Sequence, residues 1–111
     1  MSARTDEIVA WLRDQLARSG TRGFVFGLSG GVDSAVVASL CLAAAPGHAL
    51  GVVMPCHSDP RDEQDAALVA THFGLRTMRV DLGPTYDHLT AVLHDAMREL
   101  PASDFPDAAR G

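Results

Sequence analysis

Residues 24–34, FVFGLSGGVDS, constrain this chain more than any other stretch. A short apolar, β-prone run bounded by glycines gives way to a Gly-Gly turn, and the turn gives way at once to a helical pattern. Phe24, Val25, Phe26 and Leu28 are expected to form a strand buried on both faces. The helix that follows is expected to open near Asp33 and Ser34 and to run through AVVASLCLAAA to Ala45, where Pro46 and Gly47 stop it. Its surface is apolar nearly all round, which predicts deep burial.

The same alternation recurs along the chain. Residues 3–18 set Ile8, Leu12 and Leu16 four apart with Trp11 beside them, one helical stripe stopped by Gly20 and Gly23. Residues 49–54, ALGVVM, read as a second buried strand ended by Pro55, and a polar loop, HSDPRDEQ, follows. A third helix is predicted over 62–73, with Ala66, Val69, Ala70 and Phe73 on its inner face and Gly74 at its end. Residues 75–80 alternate apolar and polar side chains, as an edge strand with one solvated side would. A last helix over 85–100 carries Leu89, Val92, Leu93, Ala96 and Leu100 on one stripe, and Pro101 halts it. Three strands alternating with helices imply parallel pairing through right-handed crossovers and a three-layer α/β/α arrangement. Residues 1–100 are therefore read as one domain, and residues 101–111, rich in Pro and Asp, as loop or disordered tail.

Residues 27–34 carry the chemistry: Gly27, Leu28, Ser29, Gly30, Gly31, Val32, Asp33 and Ser34. They occupy a strand-to-helix junction, where open α/β sheets bind ligands. Adjacent glycines are expected to let the backbone take positive φ and approach a ligand closely, while the free amides and dipole of a helix start attract anionic oxygens. No Lys precedes a Ser or Thr as in a Walker A loop, and the G-x-G-x-x-G spacing is absent. Ser29 and Ser34 offer hydroxyl donors. The carboxylate of Asp33 would repel phosphate unless a divalent cation lay between them, which implies Mg²⁺ at Asp33. The plainer reading is a tight turn followed by a helix that Asp33 or Ser34 merely caps. One capping residue would meet that need, whereas this octet brings three polar side chains around two glycines.

Composition removes several classes. The chain has a formal net charge of −5 and no run of basic residues, against the basic face that nucleic acid requires. No apolar stretch approaches the ~18 residues of a membrane span, and MSARTDEIVAW lacks the layout of a secretory signal, so a cytoplasmic protein is expected. Cys41 sits in an apolar helical pattern and reads as a small buried residue, and the two cysteines make no disulfide framework. Cys56, His57 and Asp59 are too few for a metal site without a distant partner and read as loop. His72, His88 and His94 read as surface or half-buried residues, and Tyr86 as packing.

The segment SGGVDS, residues 29–34, resembles the SGGxDS loop of the ATP pyrophosphatases, a superfamily that includes NAD synthetase, GMP synthetase, asparagine synthetase and several tRNA-modifying enzymes. GLSGGVDSAVVASL, the VVMPC strand end leading into DAALVATHFGL, and DLGPTYDHL make the chain similar to the front part of ammonia-dependent NAD synthetase. The resemblance implies an adenine nucleotide alpha hydrolase-like, Rossmann-like fold, here stopping after about three strands. It implies ATP and Mg²⁺ as cofactors, with residues 27–34 on the phosphates, Asp33 on the metal, and Val53 and Met54 on the adenine through backbone groups. Arg61 is a further candidate contact. Implied substrates are deamido-NAD and ammonia, free or glutamine-derived, and the implied assembly is a homodimer. Family members continue past the length seen here, so a fragment inactive alone is expected. A tRNA-modifying ATP pyrophosphatase and a nucleotide-binding module without catalysis remain as alternatives.

Overall fold

The computed structural model describes residues 2–101, and the expectation for the tail beyond Pro101 lies outside them. The chain divides into two compact units, Met1–Asp81 and Leu82–Gly111.

The first unit opens with α1, Ala3–Ser19. Ser2 caps it by accepting the Thr5 amide at 3.2 Å, and Gly20 ends it in the left-handed conformation at φ 71°. Then come β1 (Phe24–Gly27), α2 (Val32–Ala44), β2 (Ala49–Val53), α3 (Pro60–Phe73) and β3 (Arg76–Arg79). The strands form one parallel sheet in the order β1-β2-β3. Phe24 pairs with Ala49, and Leu50 with Arg76. The fold is α/β with a parallel sheet, as the alternation of elements predicts.

Register sorts the strand residues by face. Phe24, Phe26, Ala49 and Val53 point one way and meet Ala38 and Cys41 of α2 and Ala66 and Ala70 of α3 in a single cluster with Leu28 and Leu75. Small residues dominate it. Ala38 is 0% and Ala66 1% exposed, so both helices lie close against the strands, and among the described residues no large side chain is fully buried. The opposite face carries Val25, 71% exposed, and Met78, 49% exposed.

Several expectations change here. β1 alternates half-buried and exposed residues instead of being buried on both faces, because Phe24 and Phe26 meet the helix-covered side while nothing in the first unit covers Val25 on the other. α2 leaves Val36 and Val37 exposed, since an apolar surface is buried only where something covers it. On α1 the inward line is Val9 with the predicted Leu12 and Leu16, both half-buried, whereas Ile8 and Trp11 at the edge of the predicted stripe are exposed. All four residues of β3 are exposed, so the strand is solvated on both sides; its buried neighbour Leu75 lies just before it. The inner face of α3 is as predicted, with Ala66 and Ala70 buried and Val69 and Phe73 half-buried.

α2 ends without a basic residue of its own. Arg13 of α1 supplies the missing donors, its guanidinium reaching the carbonyls of Ala43 at 2.9 Å and Ala44 at 3.3 Å. The second unit holds α4, Gly83–Met97, with Pro84 in its first turn. The helix stops before Leu100, and Leu89, Val92 and Leu93 of its apolar stripe are each about half exposed. Among the described residues no helix is long and apolar enough to cross a membrane.

Candidate functional site

The site grows out of the end of β1. Leu28 is anchored in the core at 4% exposure, and its amide donates to the carbonyl of Val52 at 2.9 Å, the last tie to the sheet. The chain then closes on itself. The Ser29 amide donates to Ser34 Oγ at 2.8 Å, the Gly31 amide donates to Ser29 Oγ at 3.2 Å, and the Ser34 hydroxyl donates to the Gly27 carbonyl at 3.4 Å.

α2 starts at Val32 with Gly31 as its N-cap and no side-chain capping bond. Neither Asp33 nor Ser34 caps the helix, so the plain capping reading fails. The first amide to find an intrahelical acceptor is that of Ala35, which donates to Gly31 O at 3.2 Å. Among the described residues the amides of Gly30, Val32, Asp33 and Ser34 have no protein acceptor. This leaves the positive end of the helix dipole open.

The glycines serve a different purpose from the one predicted. Gly31 has φ −80°, and neither it nor Gly30 has positive φ. What the loop requires is close approach. A Cβ on Gly30 would overlap the Cβ of Asp65 on α3, so only a residue without a side chain lets the loop lie against that helix.

A cavity of about 460 Å³ opens at the C-terminal ends of β1 and β2, within the usual range of ligand pockets. Leu28, Ser29, Gly30 and Gly31 form its floor, and Val53, Met54 and Pro55 line it from the end of β2. The Met54 side chain reaches back toward Gly27. Val32, Asp33 and Ser34 stand outside the lining: Val32 is 79% exposed, the Asp33 carboxylate is exposed without an ion pair among the described residues, and the Ser34 hydroxyl is turned into the loop. Arg61 is exposed and also lies off the lining; its amide donates to Asp59 Oδ1 at 2.9 Å, and Asp59 is simply the N-cap of α3.

The far wall is acidic and was not expected. Asp62, Glu63 and Asp65 from the first turns of α3 line the cavity together with Ser58. Their signal was present as a helix start, an Asp-Pro pair followed by carboxylates spaced three apart, which places Asp62 and Asp65 on one side of the helix. Arg79 of β3 grips Glu63, with Nε 2.6 Å from Oε1 and Nη2 3.5 Å from Oε2. That hydrogen bond holds the Glu63 carboxyl below its usual pKa range. Among the described residues no basic side chain lines the cavity. Anion-seeking amides thus face carboxylates, an arrangement that favours an anionic ligand carrying a cation with it. Among the described residues no three His, Cys, Asp or Glu side chains converge as a metal cluster, so such a cation would complete its shell with ligand oxygens and water.

Comparison with known proteins gives this geometry a context. The model of the NAD synthase family matches residues 4–110. The NH(3)-dependent NAD(+) synthetase of Finegoldia magna is 39% identical over 105 residues, covering 95% of this chain and 44% of the relative. The enzyme of the same description from Carboxydothermus hydrogenoformans is 43% identical over 98 residues, covering 88% of this chain and 40% of the relative. Among solved structures, the glutamine-dependent NAD+ synthetase of Acinetobacter baumannii in complex with adenosine diphosphate aligns with a TM-score of 0.75 at 28% identity, over 86% of this chain and 18% of that one. The chain spans about two fifths of the length of the curated relatives it matches. A loop of unpartnered amides at a strand end, a parallel α/β sheet and a family match over almost every residue converge on one statement: this chain belongs to the NAD synthase family.

Proposed function

We propose that the cavity at the ends of β1 and β2 is the ATP site of an ammonia-dependent NAD synthetase, which amidates deamido-NAD to NAD. The observation that carries this reading is the row of unpartnered amides at Gly30, Val32, Asp33 and Ser34 beside a cavity of about 460 Å³. Residues 27–34 hold the phosphates chiefly through backbone N–H groups. Met54 and the strand end at Val53 take the adenine. The Acinetobacter baumannii enzyme, solved in complex with adenosine diphosphate, supports a nucleotide on this fold.

In this reading a carboxylate oxygen of deamido-NAD attacks the α-phosphorus of ATP and pyrophosphate leaves. Ammonia then attacks the adenylate carbonyl carbon, loses a proton, and AMP departs with the former carboxylate oxygen. The backbone amides of the loop contribute positioning and charge stabilisation on the phosphates. The donor set suits Mg²⁺: Asp33 offers a free hard oxygen at the loop, and the acidic wall adds negative charge that a phosphate would otherwise meet directly. When bound, the ion supplies neutralisation between Asp33 and the phosphates. The exposed apolar stripe of α4 supports a homodimer as part of the same reading. A cytoplasmic location is proposed with it.

Isothermal titration of the 111-residue chain with ATP and Mg²⁺ tests the site. Binding without turnover is the expected behaviour of this length alone. Asp33→Asn should leave the thermal melt unchanged, because the Asp33 side chain is exposed and makes no ion pair among the described residues, and should weaken magnesium-dependent binding about tenfold or more. Chelating the metal should bring the unsubstituted chain to the level of the variant. Equal affinities with and without the carboxylate would remove Asp33 from the metal role. Pyrophosphate release that requires tRNA in place of deamido-NAD and ammonia would replace the substrate reading.

A further inference from the structure

We infer that the side chain of Ser34 is a positioning residue, a latch that holds the anion loop in its binding shape, and that its hydroxyl is not itself a ligand group. The inference rests on the nucleotide reading for its purpose but on the loop alone for its geometry.

The hydroxyl of Ser34 accepts the Ser29 amide at 2.8 Å and donates to the Gly27 carbonyl at 3.4 Å. One oxygen thereby joins the last residue of β1, the first turn of the loop and the third residue of α2. The acceptor bond is the strong one; the donor bond is long and weak. A hydroxyl has a single hydrogen, and in this structure it is directed at the Gly27 carbonyl and away from the cavity. The side chain also stands outside the cavity lining, while Ser29, Gly30 and Gly31 form it.

The bond from Ser29 has a directional consequence. With its amide turned inward to Ser34 and the Gly31 amide held by Ser29 Oγ, two of the loop's donors are spent on closing the loop. The amides of Gly30, Val32, Asp33 and Ser34 are the ones left for a ligand. Ser34 thus selects which amides are offered. Gly30 pressed against Asp65 closes the loop from its outer side, so the segment is held from within by a hydroxyl and from without by α3. A loop fixed before the ligand arrives loses less freedom on binding.

Hydrogen exchange of the full 111-residue chain, measured first without nucleotide, tests the latch directly. In Ser34→Ala the Ser29 amide should exchange about fivefold faster or more, the effect of losing one ordinary hydrogen bond. The Leu28 amide, bonded to Val52 in the sheet, should keep its rate. Ser34→Thr, which keeps the hydroxyl, should hold Ser29 within about twofold of the parent, within the scatter of a conserved bond. Titration with ATP and Mg²⁺ should then show Ser34→Ala weakened by a similar factor and Ser34→Thr close to the parent. A Ser29 amide that exchanges no faster in Ser34→Ala overturns the latch, as does one that accelerates in step with Leu28. Faster exchange at Ser29 with unchanged ATP affinity overturns the positioning role. Absence of ATP binding in the parent chain would count against the nucleotide reading and leave the exchange result to judge the latch alone.

Discussion

Gly30 and Asp65 meet where the loop crosses α3, and the contact leaves no space for a methyl group. Gly30→Ala must therefore displace either the loop backbone or the first turns of α3, since the clashing atom is a Cβ and cannot swing away. Overpacking of this kind costs on the order of 1–3 kcal/mol. The expected result is a lower thermal midpoint together with loss of nucleotide binding in the titration, whereas a variant that melts and binds like the parent would show that the contact is slack. The residue types in the loop were readable from sequence, because a Gly-Gly pair followed by Asp and Ser between a strand and a helix has few other uses. The role of the glycines was not. Positive φ is a local property that sequence can suggest, whereas a clash with a residue 35 positions away exists only once α3 is in place.

At the level of elements, α3 is tied to β3 by the Glu63 and Arg79 pair, which also fixes one carboxylate of the cavity wall. Arg79 lowers the pKa of Glu63, so the pair stabilises the fold above the usual glutamate value of about 4.3 and fades as pH falls through the depressed one. Both side chains are partly solvated, so the effect is small. Melting curves of the parent and Glu63→Gln should differ slightly at neutral pH and draw together as pH falls below about 4.3; a gap that does not shrink over that descent would assign it to packing. The inner face of α3 was legible because Ala66, Val69, Ala70 and Phe73 repeat at the helical period, and that repeat needs only one flat sheet to face. The burial of α2 and β1 was overread for the opposite reason. Their apolar residues say what could be covered, and Val25, Val36 and Val37 lie where nothing in the first unit covers them. The acidic wall went unseen because its three carboxylates become neighbours of the loop only through the crossover from β2 to α3.

For the whole molecule, the core is thin: its buried members are mostly alanines with Val9, Leu28, Cys41, Val52 and Leu75, and no large side chain is fully enclosed among the described residues. Burial raises the pKa of the Cys41 thiol and keeps it an inert filler. A domain with so little in reserve responds strongly to whatever binds its native state. Nucleotide at about a hundred times its dissociation constant adds about 2.7 kcal/mol, which raises the melting point of a chain this size by roughly 10 °C or more. Thermal melts across an ATP and Mg²⁺ series should show that rise, logarithmic in ligand, and a midpoint indifferent to nucleotide would contradict the site. The sensitivity traces to Gly31, which opens α2 without bringing a side chain to its exposed donors. Most helices carry their own cap at that end, and under the proposed reading the nucleotide completes this one. Under that reading, added nucleotide or inorganic phosphate is expected to lengthen the time the purified protein keeps its fold on storage, measured against the same protein in buffer without either.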